Sequence, residues 1–218
     1  MSPSILELAI NDILGWFLRF VMLATFGYVI YQGDYLFALT SLLAIFLSCA
    51  PMLLNRSLKI SLPWEINFLI TFVLFLHVTL GEVLEFYDLY YFWDKFMHLL
   101  GTAIIGILGF MAVYSFHYAG KIRLSLPLIC LFTVIFSMAV GTAWEIGEFF
   151  TDLFLGRNTQ YGLDNTMWDM VNNTAAGLVV GIGGMFYVRY VEGHSRKRLQ
   201  QTVRAALGNL VKFRKKVR

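Results

Sequence analysis

The sequence predicts an all-α, polytopic membrane protein: six transmembrane helices in one bundle, then a C-terminal amphipathic helix on the cytoplasmic side. Three observations predict it. Hydrophobic residues make up 58% of the 218 residues and charged residues only 14%, with a mean hydropathy of +0.67. A soluble domain carries about 25% charged and roughly 45–50% apolar residues. Four runs, 35–55, 96–120, 124–144 and 170–188, contain no Asp, Glu, Lys or Arg, and crossing the hydrocarbon takes roughly 20 residues at about 1.5 Å each. Finally, Lys and Arg concentrate in every second connection, as a chain weaving through a bilayer requires.

Taken in order, Ser2-Pro3 and the Ser4-x-x-Glu7 spacing mark a helix start with a capping-box pattern. A lead-in from about Ser4 runs into the first span, about 13–32, which Arg19 interrupts. The second span is 35–55. The third, about 66–87, carries Glu82 and Glu85 in its last turns. The fourth (96–120) contains Gly101, Thr102, Gly106 and Gly109, and the sixth (170–188) contains Gly177, Gly181, Gly183 and Gly184. Small residues at such spacings let helices approach closely in lipid. The fifth span is 124–144. Between the third and fourth, Tyr87, Tyr90, Tyr91, Phe92 and Trp93 read as an interfacial belt. Cys49 and Cys130 lie in apolar spans with no second cysteine in any loop, which implies packing thiols and excludes a disulfide framework or a zinc spacing. No cleavable signal is expected, because the N-terminus lacks a basic region and an A-x-A-like site. The expected organisation is a transmembrane domain over residues 1–193 and a basic tail over 194–218.

Basic residues set the orientation. Arg56 and Lys59 separate the second and third spans, and Lys121 and Arg123 the fourth and fifth; Arg189 and nine further cations from Arg196 to Arg218 follow the sixth. The opposite connections carry only Lys95 and Arg157. Both termini are therefore expected in the cytoplasm of a multi-pass cell-membrane protein. The formal charge of +3 hides the polarity: without the nine tail cations the chain has 8 basic and 14 acidic residues. In the tail, Leu199, Val203, Leu207, Leu210 and Val217 recur at helical spacing among the cations. That pattern predicts a surface helix binding anionic lipid headgroups. Nucleic acid is not expected as a partner, since Phe213 is the lone aromatic there.

Nine of the 14 acids fall in three clusters at the ends of spans, on the side opposite the cations. Glu82, Glu85, Asp88 and Asp94 form the first, followed by His98. Glu145, Glu148 and Asp152 form the second, and Asp164 and Asp169 the third. Ionisable groups in such positions are costly and face a protein interior or a water-filled cavity. Asp94 and His98 are four apart and share a helix face; Glu145, Glu148 and Asp152 form one stripe, as do Asp169, Asn172 and Asn173. Asp164-Asn165-Thr166 looks like the cap of the sixth helix, and Glu82 with Glu85 could form a further wall. An oxygen-rich set with one imidazole suits a divalent cation of the Mg, Mn or Zn type. The expected ligands are Asp94, His98, Glu148, Asp152 and Asp169. Glu145, Glu148 and Asp169 are the candidate catalytic groups, and Gln160, Asp164, Asn165, Asn172 and Asn173 the candidate substrate-binding ones. The same carboxylates could instead serve as an acid/base pair or pass cations. His77 reads as a helix–helix hydrogen-bond partner; His117 and His194 do not read as catalytic.

With these residues in view, the chain resembles the YjdF-like group of small integral membrane proteins and, more distantly, the VanZ-like proteins. Asp94-Lys95-Phe96-Met97-His98-Leu99-Leu100-Gly101 is similar to the group's Asp-x-x-x-His-x-x-Gly element. Trp144-Glu145-Ile146-Gly147-Glu148-Phe149-Phe150 is similar to its x-Glu-x-x-Glu-aromatic-aromatic helix. The stretch from Gln160 to Met170 is similar to its Gln-Gly-x-x-x-Asp-Thr-x-x-Asp-Met, although Asn165 here separates Asp164 from Thr166. The resemblance covers about residues 90–184. It implies a polytopic fold and a shared polar site, and no named activity.

Three functions compete on the sequence. The first is a membrane-embedded enzyme acting at the extracytoplasmic leaflet on a lipid or polyprenyl-linked substrate, with a divalent metal. The second is a cation or small-solute transporter using the acidic vestibule, and the third a non-catalytic membrane adaptor. A transporter needs polar residues through the midplane and beyond. The cytoplasmic half of the fourth span offers only Tyr114, Ser115 and His117, which favours a one-sided site.

Overall fold

The computed structural model describes residues 5–58, 64–118 and 120–190, with side chains over 13–53, 64–118 and 120–190. The basic tail and the Ser2–Ser4 cap lie outside the described residues. Every described element is helical, and six helices are long and apolar enough to cross a membrane. The described residues fall into two compact units that divide at Trp93–Asp94.

The first unit contains α1 (Ile5–Gln32), α2 (Tyr35–Leu58), α3 (Trp64–Phe75) and the short α4 (Phe86–Leu89). The lead-in and first span form one continuous helix. Gly33, at φ 80, allows the reversal between α1 and α2. The Asp34 carboxylate then accepts the Phe37 N–H at 3.2 Å and caps α2. Met22, Ala44 and Val78 pack at the centre against Ile45, Leu74 and Phe75. The opposite faces of α1 and α2 expose Phe17, Phe20, Leu39 and Phe46, an apolar exterior suited to lipid.

α3 does not continue as an α-helix. Leu76–Val83 is wound as a π-helix, closed by the Leu84 N–H on the Thr79 carbonyl at 3.0 Å. The widened turn brings residues five apart into line. His77 Nε2 consequently lies 3.9 Å from Glu82 Oε1, while Nδ1 meets the Tyr87 hydroxyl at 2.7 Å. Gly81 leaves room for the Tyr87 ring, which any Cβ there would meet. Glu85, at φ 57, turns the chain into α4.

The second unit is built from α5 (Trp93–Tyr118), α6 (Leu126–Leu155) and α7 (Leu163–Tyr190). Pro127 in the first turn favours the start of α6. Gly156, at φ 64, ends it with its N–H on the Asp152 carbonyl at 3.1 Å. α6 buries Ile129, Thr133, Ser137, Gly141 and Glu145, one residue per turn on a single face. Small residues hold the three helices close: Gly106 lies against Ser137 and Val180, Gly177 against the α6 backbone at Val134, and Gly184 against Phe110. Cys130 packs at Gly181, and both cysteines are half-buried. At the end of the unit away from the acids, Phe110, Val113, Tyr114, Ile129 and Val188 form an apolar core. His117 Nδ1 accepts the Leu124 N–H there at 3.1 Å and closes the α5–α6 connection.

The helices outrun the charge-free runs that announce them. α6 extends to Leu155 and α7 begins at Leu163, so Glu145, Glu148, Asp152 and Asp169 sit within helices. Asp164 does not cap α7. The helix starts one residue earlier, after Tyr161 and Gly162 take positive φ values of 51° and 100°, and Asp164 lies exposed in its first turn, where the helix dipole favours a negative charge.

Candidate functional site

The acidic end of the second unit gathers its polar groups around His98. Asp94 and His98 come from the first turns of α5, Glu145 and Glu148 from the last third of α6, and Asp169 and Asn173 from the second and third turns of α7. Asp169 and Asn173 are fully buried; Glu145, Asp94 and His98 are 5%, 7% and 8% exposed. Glu148 is half-buried.

His98 Nδ1 faces Asn173 Oδ1 at 3.3 Å, and Thr102 Oγ1 donates to the same oxygen at 2.6 Å. An amide oxygen can only accept, so Nδ1 carries the proton and donates. Nε2 then presents its lone pair toward Asp94 Oδ1 at 3.7 Å and Glu145 Oε1 at 3.2 Å. Fixing one ring nitrogen to free the other is the usual support of a metal-bound imidazole. Two overlapping groups result. Asp94, His98 and Asp169, and likewise His98, Glu145 and Glu148, each offer three ligand atoms within 4.8 Å of one another.

The carboxylates are short of partners. Among the described residues, no hydrogen bond reaches either Glu145 oxygen or Asp169 Oδ1, and Asn173 Nδ2 donates none. Asn165 Nδ2 spans Asp94 Oδ2 and Asp169 Oδ2 at 2.5 and 2.7 Å. Lys95 Nζ holds the other end of that amide, donating to Asn165 Oδ1 at 2.7 Å. The lysine therefore orients the amide, whose N–H groups face the acids. Glu148 Oε1 accepts from Trp144 Nε1 at 2.8 Å. Ionised, four carboxylates here exceed what one lysine can offset, and buried unpaired charge is strongly destabilising. The donor set and its empty valences fit a divalent cation.

Some expected site residues are placed elsewhere. Asp152 is not turned to His98. Its Oδ1 accepts the Thr159 N–H and Oγ1–H, both at 2.6 Å, and its Oδ2 accepts the Gln160 N–H at 3.0 Å. It anchors the α6–α7 connection, a role set by where the chain returns after Gly156. Gln160 reaches back to the Glu145 carbonyl at 3.5 Å and Thr166 Oγ1 at 3.4 Å. Asp164 is exposed and Asn172 half-buried, outside the contacts around His98. Asn165 and Asn173, expected to meet substrate, contact the acids and the imidazole. Sequence reasoning misses Thr102 and Trp144 as supports; each stands four residues from the group it touches or flanks, Thr102 after His98 and Trp144 before Glu148, which is the available signal.

The polar stripe of α6 continues below the site through Gly141 to Ser137 and Thr133, all buried. Twelve residues separate Glu145 from Thr133, roughly 18 Å of helix. The stripe stops at the apolar core around Ile129.

A family model described as "Predicted membrane protein (DUF2238)" matches residues 14–190. An uncharacterized protein of Thermotoga maritima is 32% identical over 127 residues, 56% of this chain and 62% of that protein. The aligned part thus spans about three fifths of that relative's length. No solved structure matches the chain.

Proposed function

The chain belongs to the DUF2238 family of predicted membrane proteins, and on that premise we propose that it is a membrane-embedded, divalent-metal enzyme. It acts at the extracytoplasmic leaflet on a lipid or polyprenyl-linked substrate. The observation that carries the proposal is the His98 imidazole, held by Asn173 so that Nε2 faces the two acidic groups. Asp94, His98 and Asp169 would hold the cation, with Glu145 and Glu148 completing the set. A bound divalent ion supplies Lewis-acid polarisation and a nucleophilic water at neutral pH. Glu148, half-buried and positioned by Trp144, would take a proton from an attacking group. Glu145 and Asp169, buried and short of hydrogen bonds, are poised to hold positive charge. Exposed Phe149, Phe150 and Phe154 flank the acidic end of α6 and suit a substrate that arrives through lipid.

The family match supports the YjdF-like resemblance, and nothing in the comparisons carries the VanZ-like one. The apolar core beneath the polar stripe argues against a cation path through this unit, so the enzyme is preferred over the transporter. The tail over 194–218 is proposed as the anchor for anionic lipid, with both termini cytoplasmic.

Metal analysis of the purified protein tests the central claim. About one equivalent of divalent metal per chain is expected, falling at least roughly 10-fold in Asp94→Asn and Glu148→Gln. Substoichiometric metal in the parent protein, with melting unchanged by chelator, would overturn it.

A further inference from the structure

Arg19 lies six residues inside the first span, which starts at Ile13, or roughly 9 Å along the helix axis. An arginine at that depth ordinarily snorkels to the interface or pairs with an acid. Arg19 is 6% exposed and turned inward, where Nε donates to Ser48 Oγ at 3.3 Å. Nη2 donates to the Ser48 carbonyl, Asn67 Oδ1 and Thr71 Oγ1 at 2.7, 3.3 and 2.8 Å. The Ser48 carbonyl lies three residues before Pro51, where the missing N–H and the ring loosen the α2 ladder. All these partners are neutral. Among the described residues no carboxylate lies within ion-pair distance of Arg19, so these neutral partners leave its charge uncompensated there.

The guanidinium is also only half used. Nη1 makes no hydrogen bond among the described residues and lies beside Gly15, where an added Cβ would sit 3.2 Å away. It borders a small cavity of about 70 Å³, lined by Gly15, Trp16, Met52, Trp64, Asn67 and Phe68. Asn67 gives its oxygen to Arg19 and keeps its Nδ2 donor. A cation with a free edge, a second donor and an aromatic-walled cavity together describe a receptor for a negatively charged group. A guanidinium suits oxyanions best, because its N–H fork matches their geometry.

We propose that this cavity is an anion site in which Arg19 Nη1 binds a phosphate-class oxyanion, from either a phospholipid headgroup or soluble phosphate. It belongs to the first unit and is independent of the metal reading. Two substitutions probe it without removing the arginine. Asn67→Asp places a carboxylate beside the guanidinium and supplies the missing counter-charge from within. Gly15→Val crowds Nη1 and leaves the neutral partners in place.

Melting of the detergent-solubilised full chain is followed with two probes. One is inorganic phosphate at fixed ionic strength against chloride. The other is phosphatidylglycerol in mixed micelles against phosphatidylcholine. The parent protein should be stabilised by at least one, and the effective probe names the source. Asn67→Asp should melt higher without added anion, and both variants should bind the effective probe at least roughly 10-fold more weakly, the loss of about one charge-assisted hydrogen bond. If neither probe stabilises the parent, or if Asn67→Asp responds as the parent does, there is no anion site.

Discussion

At the scale of single residues, burial without a partner separates the groups that define the site from those that hold it up. Among the described residues, neither oxygen of the buried Glu145 accepts a hydrogen bond. A group in that state weakens the fold until something positive arrives. Glu145→Gln is therefore expected to stabilise the chelated protein by about 1–3 kcal/mol while weakening divalent-metal binding at least roughly 10-fold. Thermal melting with chelator, paired with metal titration, checks both halves. Asp152 should behave in the opposite way. Its carboxylate is spent on three bonds to Thr159 and Gln160, so Asp152→Ala should cost about 1–2 kcal/mol of stability, moderated by its half-exposed position. Metal content should remain unchanged. A loss of metal in Asp152→Ala without a loss of stability would return it to the ligand set.

How far the sequence reveals these roles follows from their range. Helical spacing aligns Asp94 with His98 and Asp169 with Asn173, because neighbours on one face are a local property. Whether a residue on that face binds a ligand or steadies its neighbour depends on a second helix, which spacing does not contain. Asn165 and Asn173 are legible as site residues and illegible as supports for that reason. Asp152 departs from its own stripe because Gly156, at positive φ, ends α6 and returns the chain so that Thr159 and Gln160 meet its carboxylate.

At the scale of elements, the glycines of α6 offer a paired test. A Cβ at Gly141 would run into the Asn173 side chain, whereas one at Gly147 would meet nothing within 4 Å. Gly141→Ala should cost about 1–3 kcal/mol by overpacking and displace the amide that orients His98, lowering metal affinity as well. Gly147→Ala should be neutral or stabilising by about 0.5–1 kcal/mol, from helix propensity alone. Equal melting temperatures for the two variants would contradict the close α6–α7 packing. The spans themselves are legible from charge-free runs. Their true ends are hidden because a run stops at the first buried carboxylate while the helix continues. The π-helical turn at Leu76–Val83 has no local marker at all. It is recognised by what it permits, His77 reaching Glu82 five residues on and Tyr87 ten residues on.

At the scale of the whole molecule, each unit concentrates its unusual chemistry. The first holds a buried cation among neutral partners, and the second a buried acidic cluster around one imidazole. The proposed orientation is tested in a Cys49→Ala/Cys130→Ala background. Lys121→Cys and Asn158→Cys lie in exposed connections at opposite ends of the second unit. Membrane-impermeant thiol reagent should label position 158 in intact cells and position 121 only after permeabilisation. The reverse pattern would place the acidic site on the cytoplasmic face.

The apolar core of Phe110, Val113, Tyr114, Ile129 and Val188 has an electrical meaning. The polar stripe of α6 is closed by the packing of Ser137 against Gly106 and Gly177 and ends at this core. On the proposed reading, an ion held at the acidic end leaves by the side it entered and carries no net current through the second unit. In reconstituted vesicles the second unit should leave an imposed potassium diffusion potential undissipated, and divalent loading of its site should be insensitive to reversing that potential. Ile129→Gly together with Val113→Gly removes two side chains from this core. If the core is the insulator, that double variant alone should make the vesicles leak.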